Sequence, residues 1–133
     1  MGFELQAVVW TTVMLVALIG FQGALVPVNQ GFGWGLGSRD EAREKTALQA
    51  RTARTVANHI EGMLVFVPLA LVAAMTGISS TLTIWGAGLY LLGRVLFAPM
   101  YLLGVPYLRT VVWSVSLIGI LMLGFEVIRA AIG

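Results

Sequence analysis

Four runs of apolar residues, each long enough to cross about 30 Å of hydrocarbon, constrain this chain more than any other feature. They fall at roughly 5–28, 56–76, 81–103 and 109–130, and their length and patterning argue membrane-spanning helices. In lipid every backbone N–H and C=O must be satisfied within its own segment, which a helix does and an open strand does not. Composition closes the soluble alternative. Of 133 residues, 59% are hydrophobic and 11% charged, against about a quarter charged in soluble domains.

The runs are joined unequally. Between the first two lies GFGWGLGSRDEAREKTALQART, the only charge-dense stretch, whose glycines at 31, 33, 35 and 37 predict a flexible, solvated connector. The other joints are short, Gly77 to Ser80 and Gly104 to Tyr107, so consecutive helices must be antiparallel neighbours. The expected architecture is an all-α, integral membrane four-helix up-down bundle in one domain, 1–133. Ser38 and Glu41 fit a capping box, which predicts that helix two starts early and gives helices at roughly 5–28, 39–76, 81–103 and 107–131. Pro27, Pro68 and Pro99 fall inside helix patterns and should kink them. Ala70 with Ala74, and Ala73 with Gly77, form small-residue pairs of the kind that allow close helix packing, including packing between subunits.

Charge sets the expected orientation. Arg39, Arg43, Lys45, Arg51, Arg54 and Arg109 gather at one face and Arg129 stands near the other, so the positive-inside rule makes the charged loop cytoplasmic. Trp34 and Trp113 would anchor that interface, Trp10 and Trp85 the opposite one. The N-terminus has Glu4 and no basic n-region, which reads as a retained helix. With 8 Lys plus Arg and 6 Asp plus Glu, the basic residues do not form the clustered face that nucleic acid requires. No cysteine is present, so any sulfur chemistry must bring its own thiol.

Ionisable side chains inside apolar helices are costly and therefore informative. Arg51, Arg54, Asn58 and Glu61 follow one another at spacings of three, four and three, within a helical sector of about 80 degrees. Arg94 and Tyr101 share a face of helix three, and Arg109, Thr110 and Trp113 open helix four. One reading is an ion pair between Glu61 and Arg94 or Arg54 that lowers the cost of burial. The other weighs three cations, Arg54, Arg94 and Arg109, against the single acid Glu61. That surplus asks for an anionic ligand, since guanidinium forks bind carboxylates bidentately and stay charged. His59 is the only histidine and lies off the stripe, which reads as a packed or interfacial side chain and no metal site. Glu126 and Arg129 read as a local ion pair. The glycine run lacks the Lys-Ser/Thr ending of a phosphate loop.

RTARTVANHIE at 51–61 followed by VFVPLAL, GRVLFAPMYLLGVPYLRTVVW at 93–113, and GSRDE at 37–41 together resemble the MAPEG family, the membrane-associated proteins in eicosanoid and glutathione metabolism, in its bacterial form. The resemblance implies a homotrimer in the bacterial inner membrane, with glutathione as co-substrate near the cytoplasmic side and a hydrophobic small-molecule substrate arriving from the membrane lipids. It further implies that Arg54, Asn58 and Glu61 hold the glutathione backbone and termini, with Arg51 peripheral. Arg94 and Tyr101 would contact it from helix three, and Arg109 would sit near sulfur, with Tyr101 or Thr110 as hydrogen-bond donor and Trp113 close by. Ala57, and Phe97 with Ala98 and Pro99, depart from the polar residues that several eukaryotic members carry there.

The activity implied is that of a glutathione transferase or peroxidase, in which a guanidinium favours the attacking thiolate. Two rivals stand beside it: a non-catalytic lipid- or peptide-binding protein of the same fold, and a small transporter using Glu61 and Arg94 as an ion path.

Overall fold

A computed structural model describes all 133 residues, and every regular element in it is a helix. Its elements are α1 (Phe3–Gln30), α2 (Phe32–Leu36), α3 (Ala47–Met75), α4 (Thr81–Leu102) and α5 (Leu108–Ile132). The four long helices are each long and apolar enough to cross a membrane. Leu121 and Val16, 62% and 66% exposed, typify an outer apolar surface suited to contact with lipid or other protein.

The turns after α3 and α4 are built alike. Gly77 and Gly104 each take φ +71°, the left-handed conformation that glycine enters freely. Ile78 N–H donates to Ala73 O at 2.8 Å and Val105 N–H to Met100 O at 2.9 Å, closing Schellman motifs that satisfy the last carbonyls of both helices. Ser80 then caps α4 with a reciprocal Ser80–Thr83 box. Each turn thus reverses the chain within a few residues.

Helix two of the sequence reading does not begin at 39. The capping box belongs to Thr46, whose Oγ1 accepts from Gln49 N–H at 3.2 Å while Gln49 Oε1 accepts from Thr46 N–H at 2.8 Å. Ser38 donates instead to the Asp40 carboxylate. Arg39 adopts φ 58°, and its guanidinium donates twice to Gly35 O. Trp34 Nε1 donates to Glu41 O at 2.6 Å. Carbonyls engaged in these tertiary bonds leave residues 37–46 outside helix.

The glycine run is largely exposed, as expected, but it is partly helical. Residues 32–36 form α2, which folds back on the end of α1 so closely that a Cβ at Gly35 would stand 2.9 Å from Pro27 Cα. Pro27, Pro68 and Pro99 do lie inside helices.

Helix α4 packs most extensively on α5; α1 lies against α3 and α4 and does not touch α5. The α4–α5 pair meets through backbone. A Cβ at Gly93 would fall 2.6 Å from Ser116 N, and one at Gly86 would fall 2.8 Å from Gly119 O. Such contact replaces the hydrophobic drive that lipid removes. Ala70 and Ala73, fully buried, join Phe66, Tyr90 and Leu123 in the chain's own core, so that part of the small-residue face is used within the chain.

Candidate functional site

Arg94 is the most consequential side chain of the bundle. It is 2% exposed, yet no carboxylate pairs with it; the two ion pairs are Arg43 with Glu41 and Arg129 with Glu126. Its Nη1 donates to Asn58 Oδ1 at 2.8 Å and to the Asn58 carbonyl at 3.3 Å. Its Nε finds no partner. The guanidinium lies 4.7 Å from the centre of the Phe97 ring, a cation–π contact that offsets part of its lost hydration. A buried cation with one neutral amide partner keeps unused positive charge and an unused donor.

Two adjoining cavities open from this point between α3, α4 and α5. The first, of about 160 Å³, has Asn58, Glu61, Arg94, Trp113 and Ser116 among its walls. The second, of about 210 Å³, is bounded by Asn58, Phe97, Tyr101, Arg109, Thr110 and Trp113. Asn58 and Trp113 divide them. The Arg109 guanidinium stacks 4.8 Å from the Tyr101 ring centre, and Tyr101 packs against Phe97 at 5.4 Å. Arg94 therefore heads one cavity and Arg109 the other, on a continuous aromatic floor.

The structure brings together Asn58, Glu61, Arg94, Tyr101, Arg109, Thr110 and Trp113 around this pair of cavities. The other two predicted residues lie outside. Arg51 donates from Nε to Leu102 O at 3.0 Å, closing the C-terminus of α4, where cations are favoured. Arg54 is exposed and lines neither cavity. The stripe on α3 thus divides, with Asn58 turned to α4 while Arg54 and Glu61 remain exposed. No ion pair forms between Glu61 and either Arg94 or Arg54, which removes the self-neutralised reading.

Sequence reasoning missed what stands behind Arg94. Tyr90 is fully buried and stacked on Phe66 at 3.8 Å. Its hydroxyl shares a 2.9 Å hydrogen bond with Thr11 Oγ1, and His59 Nε2 donates to Thr11 O at 2.8 Å. A Cβ at Gly62 would meet both Tyr90 Oη at 3.8 Å and Arg94 Nη1 at 3.7 Å, so α3 closes on both side chains there. The signal was present: Tyr90, Arg94, Phe97 and Tyr101 follow at spacings of four, three and four, one face of α4. His59 is packed, in agreement with one of its two expected settings, and Glu126 pairs with Arg129 at 2.6 Å as expected.

The model of the MAPEG family matches residues 7–129. No curated protein and no solved structure matches the chain. The match spans all four long helices and every residue around the two cavities, and the helices are those of a lipid-embedded bundle. The chain is an integral membrane protein and belongs to the MAPEG family.

Proposed function

We propose that this chain is a membrane-bound glutathione transferase or peroxidase acting on hydrophobic substrates, with the charged loop cytoplasmic and the active assembly a homotrimer. The observation that carries the reading is Arg94, buried without an acid and with its Nε unsatisfied beside a cavity. A group with carboxylates and a thiolate supplies the charge that the bundle leaves unbalanced. The unpaired donor and the two guanidiniums fit glutathione as co-substrate.

Arg94 and Asn58 would hold a carboxylate and an amide of the peptide, and Glu61, exposed at the rim, its ammonium group. Arg109 would face the sulfur. An ordinary thiol has a pKa near 8.5 and is mostly protonated at neutral pH; a guanidinium beside it favours the thiolate. Tyr101, held under Arg109, and Thr110 are the hydrogen-bond donors available to a developing oxyanion. In conjugation the sulfur electron pair forms the S–C bond as the leaving group departs with the bonding pair. With a hydroperoxide the thiolate attacks the terminal oxygen, an S–O bond forms as the O–O bond breaks, the alkoxide takes a proton, and a second glutathione converts the resulting sulfenic acid to the disulfide and water.

Thiolate absorbance on adding glutathione to the detergent-purified protein tests this reading. A signal that grows to saturation in wild type and is lost in Arg109→Ala supports it. Absence of that signal together with absence of glutathione-dependent turnover would sink it.

A further inference from the structure

A third polar cavity, of about 360 Å³, lies on the other side of the molecule, where α1 ends and the connector folds back. Arg39, Arg43 and Lys45 line it, with Trp34 in the wall, and none of the three acids of the same segment does. Asp40 accepts from Ser38, and the nearest acid, Glu41, is 79% exposed and 4.0 Å from Arg43. The segment is neutral by count, yet its three cations border the cavity and its three acids do not.

The arrangement is held rather than loose. Arg43 Nη1 donates to Gln30 O, the end of α1, and Gln30 Nε2 donates to Glu44 O at 2.9 Å. Gln30 and Gln49 exchange two side-chain hydrogen bonds, each 2.7 Å. Both guanidiniums lie beside one indole, Arg39 at 5.8 Å and Arg43 at 5.5 Å from its centre. Two like charges around one ring repel, and Glu41, 4.0 Å from Arg43, offsets that repulsion for one of them. Lys45 makes neither a hydrogen bond nor an ion pair and keeps all its donors for an anion.

The same cavity continues onto the lipid side of α1 past Ile19 and Val26, and a Cβ at Gly23 would meet nothing within 4 Å. A basic head above a groove along Ile19, Gln22 and Val26, with a tryptophan at the boundary, suits an anionic lipid. We infer that this cavity binds the headgroup phosphate of an anionic phospholipid of the bilayer, with an acyl chain along α1. The site is separate from the α3–α5 cavities and does not depend on what they bind.

The test is native mass spectrometry of the full-length protein titrated with phosphatidylglycerol and, separately, phosphatidylcholine of matched chains. Phosphatidylglycerol is expected to bind about tenfold or more tightly. Lys45→Gln should weaken phosphatidylglycerol about fivefold and the double variant Arg43→Gln, Lys45→Gln roughly 25-fold, with phosphatidylcholine unmoved. Glutathione binding in Lys45→Gln should equal wild type. Equal affinity for the two lipids, an unchanged phosphatidylglycerol affinity in Lys45→Gln, or displacement of the lipid by an equal concentration of inorganic phosphate would each overturn the inference. Arg43 also braces α1, so the single Lys45 variant, whose side chain supports nothing, keeps the test decisive if the double variant misfolds.

Discussion

Helix α5 has two faces that solve opposite problems. Toward α4 the contact is made through glycine: Gly86, Gly93 and Gly119 let the two backbones approach closely. Toward α3 it meets Asn58, Glu61 and Gly62 across two cavities. In lipid neither face gains from excluding water, so the tight face owes its stability to dispersion between close backbones. The open face can then remain open without unfolding the bundle. The rigid pair also carries Arg94, Tyr101, Arg109 and Trp113 as one body, so the charges at the cavities keep their spacing.

The largest expected effect comes from breaking the tight face. Gly93→Val puts a branched side chain where a single Cβ already falls 2.6 Å from Ser116 N and 2.7 Å from Ser116 Cβ. Overpacking of this kind costs about 1–3 kcal/mol even where side chains can give, and here the obstacle includes backbone. Thermal unfolding in detergent should drop by well over 5 °C, and recovery of folded protein should fall. An unchanged midpoint would mean that the two helices are not locked by glycine.

Changes on the open face should spare the fold and strike the ligand. Arg94→Gln removes the buried charge while keeping a hydrogen-bond donor for Asn58, and glutathione affinity should fall about 10- to 150-fold, the range for a lost charged hydrogen bond. Calorimetric titration measures it. Arg109→Ala should lower turnover about tenfold or more and move the midpoint of thiolate formation up toward the free-thiol value near 8.5. The sign follows from removing a cation that stabilises the anion. Glu61→Ala, at the exposed rim, should weaken glutathione only severalfold, and an effect as large as that of Arg94→Gln would relocate the centre of the site. Smallest of all, Arg129→Ala at the far end should change stability by less than about 1 kcal/mol, because its Arg129 side chain is 67% exposed.

What the sequence made legible follows the same division. Four spans, their order and the two short turns could be read because length, apolar content and glycine position act locally. Asn58, Arg94, Tyr101 and Arg109 stood out because charge and polarity are rare in lipid. Arg54 lies outside the two cavities, which helical spacing could not show, because it gives a sector of about 80 degrees but not which edge of it the neighbouring helix covers. The start of α3 was misread because two capping patterns, at Ser38 and at Thr46, were both available. The choice between them lay in side-chain bonds from Trp34 to the Glu41 carbonyl and from Arg39 to the Gly35 carbonyl. The glycine seam of α4 and α5 went unnoticed for a similar reason, since Gly86 and Gly93 are seven apart on one helix and meet different residues, Gly119 and Ser116, on the other.

The Thr11, His59 and Tyr90 bonds set the behaviour of α1. Few residues of that helix are buried, only 11% of its most apolar window, so apolar contact alone leaves its rotation about its own axis weakly determined. A hydroxyl and a carbonyl of one residue, tied to side chains of two other helices, act as a pin through the middle of the span. Spinning helix α1 would strand three polar groups in hydrocarbon, and that fixes which of its sides the lipid sees.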